Sequence, residues 1–119
     1  MNPNTTISLQ VKASTTVAAF RRLMVGASAL VEPAGASDNW IGTNQQDVDS
    51  TVPGRNICAV QLKNAGIHYA TYGTSTALAA GDEIVGAAAG KVTKGASSPI
   101  GVALQAATAD GDIIRVVYY

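Results

Sequence analysis

IGVALQAATADGDIIRVVYY, from Ile100 to the C-terminal Tyr119, is the stretch from which the fold is read. It opens with a short apolar run, Ile100 to Ala106, and closes with a nearly continuous one, Ile113, Ile114, Val116, Val117 and Tyr118. β-Branched and aromatic side chains are stiff at χ1 and pack well on a pleated surface, so both runs are predicted strands. Between them Asp110, Gly111 and Asp112 supply the positive φ and the side-chain-to-backbone hydrogen bonds of a tight turn. Moving outward, Gly, Pro, Asn or Asp punctuates the chain at the spacing of about 8–12 residues typical of small β-proteins. Ser28 to Glu32, Asn56 to Lys63, Ile67 to Gly73 and Glu83 to Ala87 lie between these breaks. Many short strands with regular turns indicate an all-β domain, a sandwich or a small barrel.

The C-terminal pattern has an echo in the first half. Val31 precedes Ile41-Gly42, and Gly54 then opens the strand carrying Val60 and Leu62; Val92 precedes Ile100-Gly101, and Gly111 opens the strand carrying Val116 and Tyr118. Two similar β-motifs sharing one core about a pseudo-twofold axis are expected. Thr15 to Val25 has apolar residues at helical spacing, but its Thr pair, the lack of an acidic first turn and the stop at Gly26 favour a strand. Gly101 is expected to mark a bulge or a close approach. Residues 1–14 are read as an N-terminal arm and 15–119 as the β-domain. Ile7, Leu9 and Val11 alternate in that arm, so it is expected to become a strand on meeting a partner, and removal of Met1 to Gln10 to leave the domain folded.

Composition narrows the functional classes. The chain has 119 residues, enough for one domain with a core. Aromatics are only 5%, so that core is assembled from small side chains. Eight basic and eight acidic residues cancel, leaving no cationic footprint for nucleic acid or anionic lipid. Charged residues amount to 13%, about half the usual share, which suits a surface that lies against other protein. No run is long and apolar enough to span a membrane, and no secretory leader is read at the N-terminus. Synthesis in a cytoplasm is therefore expected.

No constellation in the sequence carries a reaction. Cys58, the sole cysteine, lies in an apolar strand and reads as a small buried hydrophobe. His68, the sole histidine, has Ile67, Tyr69 and Tyr72 around it and is expected to pack in a strand. The carboxylate pairs Asp47 with Asp49, Asp82 with Glu83 and Asp110 with Asp112 fit turn chemistry better than a cation site, since the full calcium loop is missing. Gly86 to Gly95 lacks the hydroxyl residue and following helix of a phosphate loop and reads as a hairpin. Trp40 fits a core cap or an interface anchor. No catalytic residue, cofactor, metal or small-molecule substrate is expected.

The turns and small residues of the last forty positions resemble the small capsid decoration, or cement, proteins of tailed bacteriophages. The resemblance is carried by Ala80-Gly81-Asp82, Gly90-Lys91-Val92, Pro99 to Leu104, and Gly111-Asp112-Ile113 leading to Val116, with a looser copy through Trp40-Ile41-Gly42 and Pro53 to Ile57. It implies a β-barrel or β-tulip domain on the outer surface of the expanded phage head. It also implies a homotrimer bridging major capsid protein subunits, with the N-terminal arm laid along the capsid. Under that reading Thr5, Ile7, Leu9 and Val11 are the candidate capsid-contact residues, attached by β-augmentation. The polar loop between Gly42 and Pro53 departs from the family pattern. Another phage subunit, of tail tube or baseplate, or a small β-barrel carrier displaying Lys91 or Lys94, are the alternatives.

Overall fold

The computed structural model describes residues 6–26 and 29–119, and in it the alternating runs become short strands. In chain order these are β1 (Thr6–Gln10), β2 (Thr16–Val17), β3 (Arg22–Val25), β4 (Val31–Pro33), β5 (Gly42–Asn44), β6 (Val48–Asp49) and β7 (Ile57–Leu62). There follow β8 (Ile67–Thr71), β9 (Glu83–Gly86), β10 (Val92–Lys94), β11 (Gly101–Ala103) and β12 (Ile113–Tyr118). The described residues contain no α-helix, so the chain is an all-β domain.

Each half of the chain builds the same five-stranded antiparallel sheet. The first runs β1-β7-β5-β3-β4 and the second β8-β12-β11-β9-β10, so strands correspond one to one. Smaller details repeat too. Val11 bridges Val31 as Tyr72 bridges Val92, and the β2–β6 pair Val17 with Val48 has its counterpart in Leu78 with Ala107. Gly26 N–H donates to the Leu30 carbonyl at 2.8 Å, and Ala87 N–H to that of Lys91 at 2.9 Å. The internal repeat is thus a property of the fold, with Val60 and Leu62 facing Asn44 and Gly42 as Val116 and Tyr118 face Ala103 and Gly101.

The repeated glycines follow from the pairing. A Cβ on Gly42 would run into the Gln61 carbonyl oxygen, and one on Gly101 into that of Val117. The central strand of each sheet lies too close to its long neighbour for any side chain there. Gly54 and Gly111 serve differently, taking φ of +81° and +94° in the turns before β7 and β12.

Two expectations need correction. Neither sheet closes into a barrel: edge meets edge only through the single parallel bridges Val11–Val31 and Tyr72–Val92. Central strands of three residues are too short for the continuous staggered ladder that closure demands. Nor is the N-terminal segment a separate arm from Thr6 onward. β1 pairs along its whole length with β7, Ile7 opposite Val60 and Leu9 opposite Cys58, because its apolar alternation finds a matching face within its own chain. Residues 1–5, Thr5 among them, lie outside the described residues.

Two clusters form the core, one per half. Val11, Val17, Leu23, Val31, Cys58 and Val60 fill the first; Tyr72, Ile84, Val92, Ile114, Val116 and Tyr118 dominate the second. Trp40 comes from the first half of the chain but belongs to the second cluster, which places it in the core and ties the halves together.

Candidate functional site

The seam between the halves holds the buried polar groups. Arg22, on β3, is 1% exposed and points at the β9–β10 connection of the other half. Its guanidinium donates to the carbonyls of Ala87 at 2.7 Å and Lys91 at 3.0 Å, and more weakly to Gly35 at 3.4 Å. Gly86 makes room for it, since a Cβ there would crowd the guanidinium and the Ala36 carbonyl, and Gly90 lets the Arg22 backbone come close. Burial pulls its pKa down, opposed by Tyr118 and Asp38; a guanidinium nonetheless stays protonated. The Trp40 ring lies 5.7 Å from the guanidinium carbon and 5.4 Å from Lys63 Nζ, within cation–π range.

His68, on β8, reaches across the same seam. Its Nδ1 lies 2.7 Å from Thr43 Oγ1 on β5, its ring packs edge-on against Tyr118 at 5.0 Å, and Tyr118 in turn meets Trp40 at 4.4 Å. His68 Nε2 and the Tyr118 hydroxyl are buried without hydrogen-bond partners. Burial pushes the imidazole pKa below its ordinary value, with backbone groups of Leu62 and Lys63 offsetting part of the shift; burial also raises that of the Tyr118 phenol. These groups form a buried lock between the sheets.

The remaining polar residues serve turns. Asp82 accepts from Ala79 N–H, and Asp112 from Thr108 and Ala109 N–H, the same device at corresponding bends. Asp47 accepts from Ala19 N–H at 2.7 Å, and Asp49 from Thr51. Among the described residues no three His, Cys, Asp or Glu side chains cluster as metal ligands. Lys91 and Lys94 are ion-paired with Asp110 and Asp82 at 3.0 and 3.4 Å. Cys58 is fully buried and its thiol pKa is raised by burial. A groove of about 660 Å³ runs beside β2 and β6, lined by Asp47, Asp49, Arg55 and Ile57 among others. Gln46 to Asp49, from the polar loop between Gly42 and Pro53, form part of its lining.

Of the candidate contact residues, Ile7 and Leu9 are half-buried and pack on the first core, and Val11 is 1% exposed within it. β1 instead turns Thr6, Ser8 and Gln10 outward and presents an edge open to a further strand.

No protein-family model and no curated protein sequence matches the chain. Among solved structures, the N base of head fiber gp8.5 in bacteriophage phi29 is similar over 96% of this chain and 94% of its own, with a TM-score of 0.73. The two share a fold. Sequence identity is 18%, so likeness of side chains does not extend with that of the backbone.

In the sequence Arg22 is one of eight basic residues scattered along the chain. The usable signal was its place one residue before Leu23 in a run otherwise read as a strand, where period two decides which neighbour is buried. Both Arg22 and Leu23 are in fact buried, because β3 is an interior strand of its sheet, with Leu23 in the first core and Arg22 against the other half.

Proposed function

We propose that this chain is a structural protein of a tailed-phage virion, attached to the outer surface of the head as a decoration protein. In this reading it binds the major capsid protein, bridges neighbouring subunits as a homotrimer, stabilises the expanded head and performs no catalysis. The supporting observation is the fold, shared along nearly the whole chain with the base of a phage head fiber. Low charge and small side chains fit repeated close protein contacts, and a decoration protein works through multivalency, many modest contacts summing to firm adhesion.

A second reading, that the chain is the base of a head fiber, is favoured by the same neighbour. Both readings require attachment to heads. Purified protein mixed with expanded heads of its own phage, stripped of it, should co-sediment at a saturating copy number and raise the temperature at which the heads rupture. Absence of co-sedimentation would defeat both; binding without added head stability would favour the fiber base. Light scattering should give a trimer, free or once bound.

A further inference from the structure

The internal repeat supplies its own control for surface chemistry, because two sheets of one topology can be compared position by position. On the outward face of the first sheet, β1 shows Thr6 and Ser8, and β7 shows Ala59 and Gln61. The corresponding positions of the second sheet are Ile67 and Tyr69 on β8, and Arg115 and Val117 on β12. Ile67 and Tyr69 are each about half exposed where the first sheet has Thr6 and Ser8; Ile113 is exposed too, as is its first-sheet counterpart Ile57. Ile67 stands opposite Val117, and Tyr69 opposite Arg115. The backbone tolerates polar and small residues at these places, as the first half shows, so folding does not demand the apolar set.

Phe20 extends the same face. It takes φ of +63° at the turn before β3, where the second half has Gly81 at +93° before β9. Equivalent hydrogen bonds fix both turns, Phe20 N–H to Asn44 O at 2.9 Å and Gly81 N–H to Ala103 O at 2.8 Å. A bulky residue in this conformation is strained where glycine is not. The strain sets the Phe20 ring 5.2 Å from that of Tyr69.

We propose that this face, centred on Tyr69 and Arg115, is the surface by which the chain docks on the capsid protein, at a site offering a carboxylate ringed by apolar side chains. This rests on the head-surface reading above. Charge selects the occupant: Arg115 makes no ion pair among the described residues, and Glu83, the acid sharing the face, lies two strands away and accepts from the Tyr119 hydroxyl at 3.2 Å. Area argues the same way. Five strands at about 4.8 Å spacing and at most ~20 Å long give on the order of 400 Å². A stable pair of copies needs about 800 Å² per partner, whereas a lattice multiplies a weaker contact. Arg and Tyr amid apolar neighbours are the residue types that concentrate binding energy.

The test measures binding to stripped expanded heads for the wild type, Arg115→Glu, Arg115→Lys, Tyr69→Ser, and the first-sheet controls Ser8→Ala and Thr6→Ala, with thermal unfolding of each. Arg115→Glu and Tyr69→Ser are expected to weaken binding about tenfold or more at unchanged melting temperature, Arg115→Lys to retain most of it, and the controls to match wild type. If wild type binds and the two face variants bind within about twofold of it, this face is excluded while the head-surface reading stands. If wild type does not bind, both fall together. Variants that change the mass of the free chain in light scattering but leave head binding intact would assign the face to contacts between copies and overturn the proposal.

Discussion

His68 shows how one buried residue sets the response of the molecule to acid. Its imidazole is enclosed at the seam with one hydrogen-bond partner, and burial holds its pKa below the value it has in the unfolded chain. The unfolded state therefore takes up the proton first, so His68 contributes stability in full above about pH 6.5, and that contribution is lost as pH falls toward the folded pKa. The slope can reach about 1.4 kcal/mol per pH unit in that window. Asp49 and Asp82, whose pKa values are lowered by their turn hydrogen bonds, act only below about pH 4 and leave the interval clear. Urea unfolding between pH 7 and 5 should show the loss in wild type and a flatter profile in His68→Gln; parallel profiles would mean that His68 is accessible to protons in the folded state.

Among the strands, β1 has the largest consequence for experiment. Its five residues all pair with β7, and Ile7 and Leu9 cover Cys58 and Val60. Removing Met1 to Gln10 strips an edge strand and uncovers two core residues, a cost of about 3 kcal/mol or more from apolar burial alone. The melting temperature of the truncated chain is expected to fall by roughly 10 °C or more. A truncated chain melting within a few degrees of wild type would restore the independent arm. The reversal has a simple source: alternation of Ile7, Leu9 and Val11 states that a strand has one apolar face, and says nothing about whose sheet receives it.

For the molecule as a whole, Arg22 decides whether two sheets behave as one domain. Its hydrogen bonds to Ala87 and Lys91, with the Trp40–Tyr118–His68 stack beside it, join the halves at the seam together with backbone bonds such as Gly90 N–H to the Ala34 carbonyl at 2.7 Å. Arg22→Met keeps the length and removes the donors, leaving the part-buried Ala87 carbonyl of the β9–β10 connection without a partner, while that of Lys91 keeps the Ala87 N–H. Unsatisfied buried acceptors cost about 1–3 kcal/mol each, offset in part by the desolvation the guanidinium no longer bears. A net loss of about 2 kcal/mol is expected as a lower urea midpoint. A midpoint equal to wild type would show that the Arg22 hydrogen bonds contribute no net stability to the joining of the halves.

The sequence by itself determined the strand content, the repeat and the turns, because these rest on local chemistry: β-branched runs, Asp-Gly bends, and the Gly42 and Gly101 pair required wherever a neighbouring carbonyl comes too close. It also identified Cys58 as buried. Only the tertiary structure decided that the sheets stay open, that β1 belongs to its own domain, that Arg22 and His68 are interior, and that the second sheet exposes Ile67 and Tyr69 where the first has Thr6 and Ser8. Each of those outcomes depends on which surfaces meet across the chain, and periodicity assigns a residue to a face without saying what will cover it.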